Sequence, residues 1–159
     1  MELGLAASLI IQPEPWRVIL GHARAAYPEE CCGILLGSPG SDAAPPRTVQ
    51  LAVPCRNAHQ GDRRRRFLID YRDQLAAQKR ARAEGLEILG FFHSHASGPA
   101  YFSATDLAEA LPRYSNLVVS YLNGRFQGAA SFRVDAARQH AEPETLKYPD
   151  MTAAPIPSF

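Results

Sequence analysis

The chain is poor in several things at once. Its 159 residues include only 3 cysteines, 2 methionines and 1 tryptophan, and 17 Lys and Arg nearly cancel 16 Asp and Glu. The cysteines, Cys31, Cys32 and Cys55, are odd in number and two are adjacent, which is no disulfide framework and suits a reducing cytoplasm. No C-x-x-C spacing occurs, so a cysteine-only zinc knuckle is excluded. No H-x-E…C-x-x-C pattern occurs either, which counts against a zinc deaminase. A net charge of +1 gives no electrostatic reason to expect a nucleic-acid or membrane-surface partner. The apolar run over residues 3–11 is too short to span a bilayer, and Glu2 stands where a secretory signal wants a basic residue. What is left is an ordinary folding composition, 46% hydrophobic and 21% charged, at a length that suits one domain.

Periodicity divides the chain into alternating elements. A strand over residues 9–11 is stopped by Pro13, and Trp16, Ile19, Leu20, Ala23 and Tyr27 recur at helical spacing up to Pro28. Residues 32–37 form an apolar run bounded by glycines, and residues 49–53 alternate as a second strand; residues 65–69 are a third candidate. Between them, residues 38–46 read as a surface loop. Asp70 is placed to cap a helix that Gly85 ends. Residues 86–92 are apolar again and run into His93-Ser94-His95. Ser103 caps a short helix reaching Pro112. Residues 117–122 and 126–134 form a hairpin through Asn123-Gly124. Four prolines from Pro143 onward predict a tail over 143–159 without regular structure, leaving residues 1–142 as the domain. The pattern implies an α/β fold, a mixed sheet with helices beside it.

The chemistry lies between His93 and Asp106. Side chains two apart on a strand share a face, so both imidazoles can reach one ion. Asp106 follows eleven residues later, in the first turn of a helix capped by Ser103. Two imidazoles and a carboxylate suit Zn²⁺ with a fourth position open to water, the arrangement of catalytic rather than structural sites. Ser103-x-x-Asp106 also reads as a plain capping box, and the two readings are compatible. With this chain's composition, H-x-H-x7-S-x2-D arises by accident in roughly four sequences per ten thousand.

That motif resembles the zinc motif of the JAMM (MPN+) metalloproteases, the deubiquitinase-like isopeptidases. In that family a glutamate lies upstream in a stretch like E-x-C-G before an apolar strand, and Glu30-Cys31-Cys32-Gly33-Ile34-Leu35-Leu36-Gly37 occupies that place. The residues alone leave Glu29 and Glu30 as equal candidates; the family spacing selects Glu30. The resemblance spans roughly residues 9–135 and implies a mostly antiparallel mixed sheet of cytidine-deaminase-like type. It implies that His93, His95 and Asp106 hold Zn²⁺, that Glu30 is general base and acid, and that Ser103 hydrogen-bonds the oxyanion. It further implies a hydrolase cutting the peptide or isopeptide bond after the Gly-Gly tail of a ubiquitin-like or sulfur-carrier protein. Ala96 departs from the proline usual after the second histidine, without touching a ligand.

Two other functions fit the same residues: a metal-free scaffold of this fold, and a zinc hydrolase of a small amide. Cys31 is read as packing or as a competitor for metal. Arg63-Arg64-Arg65-Arg66 could bind nucleic acid or an acidic partner but is read as a solvated strand edge or loop, with contact to an acidic substrate face as the middle option. His22, His59 and His140 lack partners at ligand spacing.

Overall fold

Local chemistry sets most element boundaries. Pro13 and Pro15 stand in the first turn of helix α1 (Pro13–Ala26), where the missing N–H groups would be unpaired in any case. Asp70 Oδ1 accepts the Arg72 N–H at 2.9 Å to open α2 (Tyr71–Glu84). Gly85 closes it at φ 70°, a left-handed conformation suited to glycine, and Leu86 N–H returns to the Ala81 carbonyl at 2.8 Å. Asn123 and Gly124, both at positive φ, make the two-residue turn between β5 (Ser115–Leu122) and β6 (Arg125–Val134). The computed structural model describes residues 8–40 and 46–150; part of the expected loop over 38–46 therefore lies outside the described residues.

The remaining elements are β1 (Ser8–Ile11), β2 (Cys32–Ser38), β3 (Arg47–Cys55), β4 (Glu87–His95), α3 (Ala104–Glu109) and β7 (Ala141–Lys147). The strands are ordered β1-β3-β2-β4-β5-β6-β7 and close into a ring, because β1 pairs in parallel with both β3 and β7. The β4–β5 pair is also parallel, and the other four are antiparallel. The mixed, mostly antiparallel sheet expected from the sequence is thus present, and its closure is an addition. Helices α1 and α2 cover opposite faces. Leu35 faces Trp16, Ile19 and Leu117, while Ile34 and Leu36 face Ala77 and Ala81; this two-sided burial makes β2 continuously apolar instead of alternating. Gly33 is required by close approach, since a Cβ there would meet the Phe92 ring and the Val53 carbonyl. Among the described residues no helix is long and apolar enough to cross a membrane.

Two expectations are corrected. Residues 65–69 are not a strand: Asn57 Nδ2 donates to the Arg66 carbonyl at 2.9 Å and Asn57 Oδ1 accepts the Leu68 N–H at 3.2 Å. One side chain therefore satisfies the backbone that a ladder would have used. Residues 143–147 are not a tail, because β7 runs through Pro143, opposite Phe132 of β6. Residues 151–159 lie outside the described residues. The buried Glu144 of β7 ties the ring together. Its Oε1 accepts from Ser115 at 2.5 Å and Ser131 at 2.6 Å, and its Oε2 faces Arg47 and Arg133 at 3.6 and 3.7 Å.

Candidate metal centre

Strand β4 delivers the first two candidate ligands. The two-residue period puts His93 and His95 on one face, both buried, with Nε2 atoms 3.2 Å apart. The chain then folds back over the strand end. Ser120 Oγ donates to the Gly98 carbonyl at 2.6 Å, and His95 Nδ1 donates to the Pro99 carbonyl at 3.0 Å. Placing the proton on Nδ1 leaves the His95 Nε2 lone pair aimed inward, as ligating histidines require. Phe67 stacks on His93 at 4.4 Å between ring centres.

Helix α3 delivers the third. Ser103 Oγ accepts the Asp106 N–H at 3.0 Å and Asp106 Oδ2 accepts the Ser103 N–H at 3.0 Å, a reciprocal capping box. The same Oδ2 lies 3.4 Å from each histidine Nε2. The three atoms form a near-equilateral triangle with edges of 3.2, 3.4 and 3.4 Å. A tetrahedral ion with bonds of about 2.0–2.1 Å separates its ligands by about 3.3–3.4 Å. The donor set and its spacing therefore fit a zinc-like cation, and capping box and ligand coexist in one turn.

Two of the three protonation preferences agree with that fit. Burial lowers the proton affinity of His93. Burial would lift the Asp106 carboxyl, but hydrogen bonds from His93 and His95 outweigh it and hold the group well below the usual carboxylate range. For His95 burial acts downward, yet the bonds to Asp106 and Pro99 win and raise it. An anionic Asp106 beside a neutral His93 is what metal binding needs.

Glu30 reaches the centre through strand register. Cys32 stands opposite His93. One step further, Cys31 N–H donates to Ser94 Oγ at 2.8 Å and Ser94 N–H donates to the Cys31 carbonyl at 3.1 Å. This brings Glu30, 6% exposed, to the level of His95. Burial raises its pKa to about 8, opposed by the His95 charge and reinforced by Asp106. Its rival Glu29 is half-buried and holds Arg63 Nε at 3.2 Å. Glu30, not Glu29, shares a cleft of about 350 Å³ with His95, Tyr101 and Ser103. The Ser103 hydroxyl oxygen is engaged by the cap, which leaves its proton for an acceptor in that cleft. A second cleft of about 440 Å³, lined by Phe67, Phe91, Phe102 and Leu111, opens on the His93 and Asp106 side.

Among the described residues, only His93, His95 and Asp106 gather into such a ligand cluster. Cys31 is buried core with its thiol pushed up to about 11 by burial, so of its two readings packing fits. His22 Nε2 lies 3.1 and 3.0 Å from the Cys32 and Cys55 carbonyls. Arg63 to Arg66 are exposed and sit in a turn and the loop after it. Sequence reasoning missed Ser94 and Asn57. The position of Ser94 between two histidines was the available signal; Asn57 offered none, since its partners lie far along the chain.

Residues 13–142 match the family described as prokaryotic homologs of the JAB domain. The chain is 30% identical over 108 residues to the CysO-cysteine peptidase of Mycobacterium tuberculosis, covering 67% of this chain and 68% of that protein. It is 35% identical over 107 residues to the desampylase of Haloferax volcanii, covering 64% and 73%. A solution structure of a protein from Desulfitobacterium hafniense superposes with a TM-score of 0.75 at 30% identity, covering 89% of this chain and 93% of that one. A JAB1/MPN domain protein from Archaeoglobus fulgidus, at 17% identity, TM-score 0.54 and coverage of 89% and 98%, shares the fold.

Proposed function

The chain belongs to the family of prokaryotic JAB-domain homologs, and from that premise we propose that it is a zinc-dependent peptidase. Its substrate is the peptide or isopeptide bond that follows the C-terminal Gly-Gly of a ubiquitin-like or sulfur-carrier protein. The observation that carries this reading is the His93–His95–Asp106 triangle with a buried carboxylate, Glu30, in the cleft beside it. The relatives named CysO-cysteine peptidase and desampylase support the choice of a peptidase.

His93, His95 and Asp106 would hold the zinc ion, which would supply an activated water near neutral pH. Glu30 takes the proton of the attacking water. Burial makes its carboxylate a stronger base than an exposed one, and once protonated it is the acid nearest the departing nitrogen. The same proton then goes to the departing nitrogen as the C–N bond breaks. Ser103 directs its hydroxyl proton at the oxygen of the attacked carbonyl, where negative charge develops. Pro99, through His95 Nδ1, keeps the ligand ring in one orientation.

The test is a ubiquitin-like carrier with a C-terminal extension beyond Gly-Gly. Cleavage at that junction, abolished by a chelator and by Glu30→Gln, is the expected result. An intact extension together with turnover of a small amide would assign the site to small-molecule hydrolysis, and metal-free, inactive protein would assign it to a scaffold.

A further inference from the structure

A third cleft, of about 530 Å³, adjoins the segment of Glu30 and is larger than either cleft at the metal centre. It shares Glu30 with one of those two and no residue with the other. His22 of α1 lines it together with Glu29, Arg56, Asn57, His59 and Arg63. Its wall is fixed by bonds that need no ligand. Asn57 Nδ2 donates to the Glu30 carbonyl at 3.1 Å and to the Arg66 carbonyl at 2.9 Å, while Asn57 Oδ1 accepts the His59 N–H at 3.1 Å. Glu30 N–H donates to the Arg63 carbonyl at 2.7 Å. The charges in this wall do not balance. Glu29 takes up the Arg63 guanidinium at 3.2 Å, in a pair half open to solvent and therefore weak. The Arg56 guanidinium has no acidic partner among the described residues. The imidazoles of His22 and His59 add groups that gain proton affinity as an anion approaches.

We propose that this cleft binds a small phosphate monoester, with Arg56 and Arg63 gripping the phosphate. Charge, donors and size each favour that ligand. A phosphate monoester carries close to two negative charges at neutral pH and three strong acceptor oxygens, which guanidinium groups meet in bidentate fashion. A monocarboxylate brings only what Glu29 already gives to Arg63. A dianion can hold both guanidinium groups at once, and so draws Arg63 away from Glu29. The volume lies in the range of small-molecule sites, about 300–1,000 Å³, and leaves room for the organic part of the ester beside Ala26 and Ala58. The site uses none of His93, His95, Ser103 and Asp106, so it stands or falls apart from the peptidase reading. Its occupancy still reaches the strand of the metal centre, because the Glu30 N–H is bonded to the backbone of Arg63.

The decisive measurement is a titration of the full chain, as purified, with glycerol 3-phosphate, inorganic phosphate and acetate. Ionic strength is held constant, at a pH above the second phosphate pKa of about 6. Binding is followed by nuclear magnetic resonance on the backbone N–H groups of Glu30 and His59. The expected result is saturable movement of both by glycerol 3-phosphate, with an affinity about tenfold above that of acetate. Inorganic phosphate, which lacks the organic part, is expected to bind more weakly than the ester. The double variant Arg56→Gln, Arg63→Gln loses the preference for the ester and keeps its fold, since both side chains are exposed. Glu29→Gln acts in the opposite direction: it frees Arg63 and tightens the ester by about threefold. An anion taken up at the metal centre instead would respond to neither change. No saturable movement, equal binding of acetate or of inorganic phosphate, an ester affinity unchanged in the double variant, or no tightening in Glu29→Gln overturns the proposal.

Discussion

Cys31 and Ser94 grip each other twice: the Cys31 N–H donates to the Ser94 hydroxyl at 2.8 Å, and the Ser94 N–H donates to the Cys31 carbonyl at 3.1 Å. The pair stands between Glu30 and the two histidines, so Glu30, the proposed general base, is positioned by a residue outside the candidate ligand set. Ser94→Ala leaves a buried N–H unpaired and costs about 1–3 kcal/mol. Metal content is expected to stay at the wild-type value while kcat falls. As Glu30 loosens and becomes hydrated, the acid limb of the pH–rate profile moves to lower pH, which a change in stability alone would not produce.

Metal binding is expected at one equivalent per chain, measured by elemental mass spectrometry. His93→Ala, His95→Ala and Asp106→Asn each abolish stoichiometric binding. Chelation of the wild type lowers its melting temperature, because an ion at a hundred times its Kd stabilises by about 2.7 kcal/mol. Retention of a full equivalent by any of the three variants contradicts the ligand assignment.

The metal-free protein is expected to lose stability as pH rises across the range set by Glu30. Folded Glu30 holds its proton to about pH 8, whereas the exposed group releases it near 4.5. The folded state thus binds more protons in between, and the stabilisation present below pH 4.5 is lost by pH 8. Glu30→Gln has no such group to ionise. It should match the wild type below pH 4.5 and exceed it by about 2–4 kcal/mol above pH 8, read from urea unfolding at each pH. Wild-type and variant curves that stay parallel across that range would contradict the burial of this carboxylate.

Ser103 caps α3, and the proposed mechanism gives its hydroxyl a second, separable role. Ser103→Ala loses the cap, about 1 kcal/mol, whereas Ser103→Gly loses only a few tenths. Both lack the hydroxyl, so both are expected to lower kcat by about 10²–10³. Equal activity of Ser103→Gly and wild type would reduce Ser103 to a helix cap.

Glu144→Ala leaves Arg47 and Arg133 facing each other around an empty anion position at the seam of the ring. A cost of about 3–5 kcal/mol in unfolding free energy is expected, with metal content and kcat of the folded protein unchanged.

The sequence by itself determined what depends on neighbours a few residues apart. Pro13, Asp70 and Gly85 bound their helices through a missing N–H, a capping carboxylate and a left-handed backbone. Asn123-Gly124 makes its hairpin, and the common face of His93 and His95 follows from strand alternation. The capping box joining Ser103 to Asp106 is likewise local. The tertiary structure decided what depends on residues far along the chain. Glu30 displaces Glu29 because register with β4 and the grip of Ser94 turn it inward, and Arg63 draws Glu29 outward. Residues 65–69 become a loop because Asn57 takes their backbone bonds. Residues 141–147 become a strand because β6 and β1 offer unpaired edges. In each of these cases the deciding hydrogen bonds join distant segments, and only folding brings their donors and acceptors within reach.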